Sequence, residues 1–269
     1  MDILSLLMLL VAGCGAGLIA GYFAVDAGII LVPILLVWYK STHVSSLVAS
    51  HLAIGTALIV ASLIAAEAAY ADRKEGFVVW PQAIPLAGAG VVGAVLGAMI
   101  ARTLPAETMT QIFAAAMLVT GIQLFVTRRK PKGTSTPAPR ETVKLVAYGA
   151  IAGIIGAFTS TGNKLAARPL LYTQLRVPMK RSIGTANAGS AVFFFAAGVS
   201  FLFAGMGEIL LPSFAVGYLD FYPLLPLSLG AVVCSSPGRR FGETHPMRNA
   251  SLVFGILLLG LSFKLLVAP

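Results

Sequence analysis

Ile54-Gly55-Thr56-Ala57 recurs letter for letter as Ile183-Gly184-Thr185-Ala186, and further matches flank this pair in the same order. The flanking matches join Gly17–Gly21 and Val32–Leu35 to Gly149–Gly153 and Arg168–Leu171, and Gly93–Val95 to Gly230–Val232. The ordered matches indicate a tandem duplication within an almost wholly apolar chain. Two halves that stack around a shared centre are the usual architecture of a secondary transporter.

The composition indicates a membrane protein. Of the 269 residues, 58% are hydrophobic and only 11% are charged, whereas a soluble domain carries about 25% charged residues. Apolar stretches of about 20 residues, the length of a helix that crosses the hydrocarbon core, recur along the chain. We therefore predict an all-α polytopic membrane protein surrounded by lipid, rather than a large soluble helical protein.

One hydrophilic segment divides the two halves. Residues 128–144 read RRKPKGTSTPAPRETVK, and this content of Pro, Thr and basic residues is typical of a solvated linker. We predict a first transmembrane repeat at 1–127, a basic linker at 128–143 and a second transmembrane repeat at 144–269. Each half divides into five elements, of which the second is short: Leu4–Phe23, Ile29–Tyr39, Leu47–Tyr70, Pro81–Ala101 and Glu107–Thr127, then Lys144–Phe158, Leu165–Leu175, Ser182–Ala204, Pro212–Pro237 and Asn249–Val267.

The two repeats are expected to be inverted, because an odd number of elements makes the second half enter the membrane from the opposite side. Of the 19 Lys and Arg residues, most then fall on the side of the central linker, while Lys40, Arg102 and Lys264 fall on the other. Cytoplasmic loops carry an excess of Lys and Arg, so we predict a cytoplasmic linker in a multi-pass protein of the cell inner membrane. The same distribution argues against nucleic-acid binding despite the net charge of +9. Whether the two short elements cross the whole membrane stays open.

The turn before the short element of each half is the candidate substrate site. In the second half Thr159–Lys164 leads to Arg168-Pro169, and in the first half Phe23–Gly28 leads to Val32-Pro33. Proline suits the first turn of a helix, so each turn is expected to be non-helical backbone that enters a short helix. Interrupted helices at matching positions of two halves are typical of a transport site.

The side chains of the second turn fit an anion. Lys164 and Arg168 are four residues apart and share a face if this stretch is helical. Either charge costs roughly 3 kcal/mol or more inside a membrane unless another group compensates it, and a bound anion would do so. Ser160, Thr161 and Asn163 add hydroxyl and amide donors for oxyanion oxygens. We predict these five residues as substrate-binding groups.

Asp26 leaves a second interpretation open. It lies in the equivalent turn of the first half, and repeat symmetry would bring it near Lys164 or Arg168. The pair would then be a structural or gating ion pair instead of a substrate contact. A mixed role also fits, in which Asp26 holds one cation at rest and releases it to substrate, or carries a proton. Asp26 is therefore the candidate coupling or gating residue.

The twin tetrads supply secondary candidates for substrate binding. Thr56 and Thr185 each offer a hydroxyl toward a central cavity, and Asn187 adds an amide. The alternative is that the small residues of the tetrads allow two helices to pack closely.

Signatures of catalysis are absent from the sequence. It has no Walker loop, HExxH, GxSxG, CxxC or Rossmann fingerprint in a suitable setting, so we predict no enzyme activity, no catalytic residue, no cofactor and no metal site. Cys14 and Cys234 both lie in apolar segments, and we expect no disulfide between them.

The duplicated pattern resembles the TauE/SafE family of sulfite and organosulfonate exporters. The similarity rests on the glycine-rich first segments, the turns before Pro33 and Pro169, the paired Gly-Thr motifs, and the Gly93–Gly97 helix followed by Arg102. It covers nearly the whole chain. The resemblance implies a polytopic inner-membrane carrier for small anions, with sulfite, sulfoacetate and related sulfur oxyanions as the typical substrates.

This chain departs from the family pattern at the predicted site, where Asp26, Asn163, Lys164 and Arg168 replace glycine, small or apolar residues. We predict a secondary transporter, most simply an exporter, that moves a small anion such as sulfite or an organosulfonate across the bacterial inner membrane. The alternatives are a passive anion channel and a membrane protein without transport activity. The expected partners are the small anionic substrate and membrane lipid, with no nucleic acid and with a homodimer left open.

Overall fold

The computed structural model describes residues 3–126, 142–245 and 248–267. The predicted basic linker therefore lies almost wholly outside the described residues; only 142 and 143 are described, and they begin a helix. Within the described ranges the chain forms ten α-helices, one π-helical turn and one minimal hairpin: α1 (Ile3–Phe23), α2 (Gly28–Ser41), α3 (Ser46–Lys74), α4 (Trp80–Ala101), α5 (Ala106–Val126), α6 (Thr142–Thr159), the π turn (Asn163–Ala167), α7 (Arg168–Thr173), α8 (Met179–Ala204), β1 (Ala215–Val216), β2 (Leu219–Asp220), α9 (Phe221–Thr244) and α10 (Arg248–Val267).

The helices confirm the predicted all-α polytopic membrane protein. Seven of them, α1, α3, α4, α5, α6, α8 and α10, are long and apolar enough to cross a bilayer. The 24 residues of α9 also suffice by length. In contrast, α2 has 14 residues and reaches only about 21 Å at 1.5 Å per residue. The short second element of each half is thus a real feature of the fold.

The main helix pairs join one half of the chain to the other. Helix α1 packs along α9, and α4 packs along α6, so the first helix of each half lies against the fourth helix of the other. The third helices, α3 and α8, form a central pair, and the fifth helices, α5 and α10, form a peripheral one. Most of the apolar stretch of α3 is buried, 72%, against 17% for α10, which places α3 at the core.

Glycines allow these pairs to approach closely. A Cβ at Gly17 would collide with the backbone carbonyl of Ala231, and a Cβ at Gly153 would collide with that of Gly90. Because a backbone atom cannot move aside as a flexible side chain can, the glycines of the repeated segments are required where α1 meets α9 and where α6 meets α4. Small residues serve this role at helix interfaces in membranes.

The central pair runs antiparallel. Gly55 near the start of α3 lies against Phe201 near the end of α8, while Ile59 further along α3 lies against Gly198. Equivalent helices of the two repeats thus point in opposite directions, which is the relation that inverted repeats predict.

The predicted span Pro212–Pro237 was wrong at both ends. Residues before Phe221 form turns and the β1–β2 hairpin, in which Ala215 pairs with Asp220. The Asp220 carboxylate accepts a hydrogen bond from the Tyr222 backbone N–H at 3.0 Å and so caps the first turn of α9. Helix α9 then continues past Pro237 to Thr244.

The expectation that Cys14 and Cys234 stay unpaired was also wrong. The structure joins them by a disulfide, with their Cα atoms 5.1 Å apart across a sequence separation of 220 residues. The close glycine-lined packing of α1 on α9 brings the two sulfur atoms together, and no local feature of the sequence carries that information.

Candidate functional site

The two symmetry-related turns meet in the middle of the molecule. The Asp26 carboxylate accepts a hydrogen bond from the backbone N–H of Lys164 at 2.8 Å. In the other direction, Arg168 Nη1 donates to the backbone carbonyl of Ala24 at 3.1 Å. Each turn therefore binds the other, although Asp26 contacts the main chain of Lys164 rather than its ammonium group.

The π turn places the predicted cations beside this junction. The Arg168 backbone N–H bonds to the carbonyl of Asn163, five residues earlier. Pro169 has no N–H to donate to the carbonyl four residues before it, and the helix widens directly ahead of it. Single π-helical turns of this kind are frequent at functional sites. Asn163, Lys164 and Arg168 consequently lie within one turn of each other.

A cavity of about 460 Å³ begins at this junction, and we call it the central cavity. Its buried end includes Asn163 and Lys164, whose exposed fractions are 6% and 9%. Its other end includes the exposed residues Glu75, Lys180 and Glu243, near the ends of α3 and α9 and the start of α8. The polar groups between are Asp26, Glu67, Asp72, Arg168, Asn187, Ser235 and Arg239. The central cavity is therefore a one-sided pocket that leads from solvent to two cations.

Several polar atoms at the buried end have no hydrogen-bond partner. Asn163 Oδ1 and Arg168 Nε are both buried and unpaired. Within the described ranges, the Lys164 ammonium makes no hydrogen bond or close ion pair either. Buried polar groups are normally satisfied, so these atoms mark the place where a ligand would supply partners.

A chain of hydrogen bonds runs from the buried end toward the open end. Asn163 Nδ2 donates to Asn187 Oδ1 at 2.8 Å, and Asn187 Nδ2 donates to Asp72 Oδ2 at 2.9 Å. Asp72 Oδ1 in turn pairs with Arg239 Nη1 at 3.0 Å. This chain ties α3, α8 and α9 to the π turn, and every side chain in it lines the central cavity.

Comparison with known proteins agrees with this architecture. The profile of the family described as "Sulfite exporter TauE/SafE" matches residues 9–265. The chain belongs to this family. It is also 22% identical, over 94% of its length and 95% of the relative's, to a "Probable membrane transporter protein" of Haemophilus influenzae. No solved structure matches it.

Two other relatives match a smaller share of the chain. A "Probable membrane transporter protein" of Xylella fastidiosa is 25% identical over 72% of each chain. The "Probable membrane transporter protein YdhB" of Bacillus subtilis is 23% identical over 73% of this chain and 76% of the relative.

Some of the predicted binding residues of this TauE/SafE family member lie away from the central cavity. The Ser160 hydroxyl donates to the backbone carbonyl of Ile54 at 3.4 Å, and the Thr161 hydroxyl donates to the side-chain hydroxyl of Thr159 at 2.8 Å. Both side chains are buried, and neither lines the central cavity. Their contacts shape the turn that presents Asn163 and Lys164.

The two tetrad threonines take equivalent places in the two halves. Thr56 Oγ1 accepts a hydrogen bond from the Asp220 backbone N–H at 3.1 Å, and Thr185 Oγ1 accepts one from the Val79 N–H at 3.1 Å. Each hydroxyl therefore holds the segment that enters the fourth helix of the opposite half. Both threonines are fully buried, and neither lines the central cavity.

Sequence reasoning missed Asp72 and Arg239. Both stand near helix ends among other charges, beside Arg73 and Arg240, and they look like ordinary interfacial residues. The one available signal was that Asp72 follows a long apolar stretch that contains Glu67 as its only other acid. In the structure Glu67 also lines the central cavity and accepts a hydrogen bond from Ser235 at 3.0 Å.

Proposed function

We propose that this protein is a secondary transporter that carries a small anion, such as sulfite or an organosulfonate, out across the bacterial inner membrane. The observation that carries the proposal is the position of Lys164 and Arg168 at the buried end of the central cavity. The family and the names of the relatives support membrane transport. The choice of substrate and direction rests on the description of the family as sulfite exporters together with the chemistry of the site.

The charges at the buried end favour an anion. In the part of the chain that the structure describes, Asp26 is the one carboxylate that bonds to this turn, and it faces two cations. The next acids, Glu67 and Asp72, are engaged by Ser235 and by Arg239. A buried cation is costly in a membrane unless it is paired, so an excess of positive charge stabilises a bound anion and repels a cation.

The shape of the central cavity supports alternating access. It opens at the ends of α3 and α9. If successive helices cross the membrane in alternating directions, these ends lie on the same side of the membrane as the central linker. With the linker in the cytoplasm, this arrangement is the inward-facing state, ready to load an exported anion. We propose that the two halves then rock about the junction of the two turns, as inverted repeats do in other secondary transporters.

Asp26 is well placed to couple this movement to substrate. Its carboxylate bonds to the backbone of the same residue whose ammonium is proposed to bind the anion. Any shift of the π turn on binding is therefore transmitted to the first half of the chain. Asp26 is proposed as the coupling or gating residue, and Asn187 as a binding group beside Asn163.

The test is anion binding and transport by purified protein in detergent and in liposomes. We expect sulfite or a sulfonate to raise the unfolding temperature and to enter liposomes with saturation and counterflow. Lys164→Ala and Arg168→Ala should each weaken binding about 10- to 100-fold, because hydrogen bonds to charged groups are worth about 1.5–3 kcal/mol. Lys180→Ala, which removes an exposed cation at the open end, is the matched control.

Three outcomes would contradict the proposal. Flux without saturation or counterflow would indicate a passive anion channel. A folded protein that binds and moves no anion would indicate a membrane protein without transport activity. Equal loss in Lys180→Ala and Lys164→Ala would show that general surface charge, and not the buried site, governs the effect.

A further inference from the structure

The hydrogen-bond chain of the central cavity has a fixed direction. Asp72 is an acceptor only, because its carboxylate is ion-paired with Arg239 through Oδ1. Its other oxygen therefore requires a donor, and Asn187 must turn its NH₂ group toward it, as observed at 2.9 Å. The carboxylate thus decides which end of the Asn187 amide faces the π turn.

The same logic determines the orientation of Asn163. Asn187 has only its carbonyl left for Asn163, so Asn163 must donate its NH₂ group, as observed at 2.8 Å. The carbonyl of Asn163 is then the free end of the chain. This Oδ1 atom is buried and has no partner, on a side chain that is 94% buried and lines the central cavity.

The buried end thus combines two kinds of unsatisfied group. Arg168 Nε is a buried donor without an acceptor, and the Lys164 ammonium lines the same space. These groups suit the oxygens of an anion, whereas Asn163 Oδ1 repels them and requires a hydrogen. A bare oxyanion would satisfy the cations and leave the amide carbonyl unpaired, which is unfavourable in a buried site.

We propose that the anion bound here carries a hydrogen-bond donor, and that Asp72, acting through Asn187, is the positioning residue that imposes this requirement. The inference rests on the proposed anion transport and narrows its substrate class. Hydrogen sulfite and hydroxy- or amino-alkanesulfonates carry both an anionic oxygen and an O–H or N–H group. Sulfate and unsubstituted alkanesulfonates carry no such donor.

The test uses two probes that differ by one hydroxyl group. Isethionate (2-hydroxyethanesulfonate) and ethanesulfonate have the same charge and carbon chain, and their dissociation constants for the purified full-length protein would be measured by calorimetry. We expect isethionate to bind about tenfold or more tightly, because a site built to hydrogen-bond a hydroxyl group rejects the analogue that lacks it. Lactate and propionate form a parallel pair for carboxylates.

Two variants separate the acceptor from the residue that orients it. In Asn163→Leu the acceptor is gone, and the affinity ratio of the matched probes should fall toward one. In Asp72→Asn the amides of Asn187 and Asn163 are no longer held in one orientation, and Asn163 can turn its NH₂ group toward the bound anion. The preference for isethionate over ethanesulfonate should therefore fall or reverse. Asn249→Leu, on α10 and outside the central cavity, is the control and should keep the wild-type ratio.

The outcomes distinguish this inference from the function on which it rests. If the wild type binds both sulfonates equally, the donor requirement is overturned while anion transport stands. If it binds neither sulfonates, carboxylates nor sulfite, the proposed transport function itself fails, and the donor requirement fails with it. If Asp72→Asn keeps the wild-type preference while Asn163→Leu loses it, the positioning role of Asp72 is overturned.

Discussion

The turns after α1 and after α6 share one backbone and carry opposite chemistry. Ala24 and Ser160, at equivalent places, both adopt the left-handed conformation, with φ of 49° and 52°. The loops that follow the short helices are also alike, because His43 and Arg176 both adopt the left-handed conformation, with φ of 56° and 52°. Yet the first turn supplies Asp26, an acid, and the second supplies two cations.

This contrast separates scaffold from site. Features that hold the fold together occur in both halves, as the glycine contacts of α1 and α6 and the hydroxyl contacts of Thr56 and Thr185 show. Features that line the buried end of the central cavity occur once, as expected if a single substrate meets both turns together in the way proposed above. We therefore expect the asymmetry of charge on this symmetric backbone to mark the functional residues.

The largest expected effect comes from filling the symmetric helix contacts. Gly17→Val and Gly153→Val should each destabilise the protein by about 3 kcal/mol or more, beyond the usual range for overpacking, because each new side chain meets a backbone carbonyl. Heat resistance in detergent, followed by size-exclusion chromatography, measures the loss. Gly15→Val, which has open space around its Cβ, should be nearly neutral. If only one of Gly17→Val and Gly153→Val lowered the stability, the two helix contacts would not be equivalent.

The next effect tests the link between the two turns. Asp26→Ala should cost about 1.5–3 kcal/mol, since it removes a charged acceptor and leaves the Lys164 N–H unpaired. Asp26→Asn keeps an acceptor oxygen and should cost less in unfolding temperature. If Asp26 also couples transport, Asp26→Asn should retain counterflow and lose gradient-driven uptake. A fully stable and fully coupled Asp26→Ala protein would show that the turns act separately.

A smaller and equal effect is expected at the two tetrads. Thr56→Val and Thr185→Val should each cost about 0.5–1.5 kcal/mol, because each removes one hydrogen bond to a backbone N–H and preserves the shape of the side chain. Anion affinity should be unchanged in both, whereas loss of affinity in either would return that threonine to the binding site. Thr103→Val, whose hydroxyl bonds locally on an exposed turn, is the control for stability.

The sequence was most informative where local composition decides structure. Long apolar stretches must become helices in a bilayer, because every backbone polar group has to be paired within its own segment. The duplicated motifs predicted two halves. Pro169 lies in the first turn of α7 as expected, whereas Pro33 lies inside α2 and not in its first turn. Lys164, Arg168, Asn163, Asn187 and Asp26 stood out in advance, since charged and amide groups in apolar surroundings require partners.

The boundaries of α9 and the Cys14–Cys234 pair were not predictable in this way. The segment before Phe221 is apolar enough to resemble a helix, but tertiary contacts hold it as a hairpin, among them the hydrogen bond from the Asp220 N–H to Thr56 of α3 and that from the Tyr218 N–H to the Phe201 carbonyl of α8. The two cysteines are brought together by glycine contacts between the first helix of one half and the fourth helix of the other.

By itself, then, the sequence determined the membrane-spanning helical class, the duplicated motifs and the polar residues of the candidate site, because these follow from composition and local order. Only the tertiary structure decided which helices pair and which polar groups share the central cavity. The tertiary structure alone shows that Asp72 and Arg239 form a hydrogen-bond chain with Asn187 and Asn163. It also shows that four predicted residues do not line the central cavity: Ser160, Thr161, Thr56 and Thr185. The physical reason is that hydrogen-bond partners in this protein lie up to 223 residues apart, and such pairings depend on how whole helices pack.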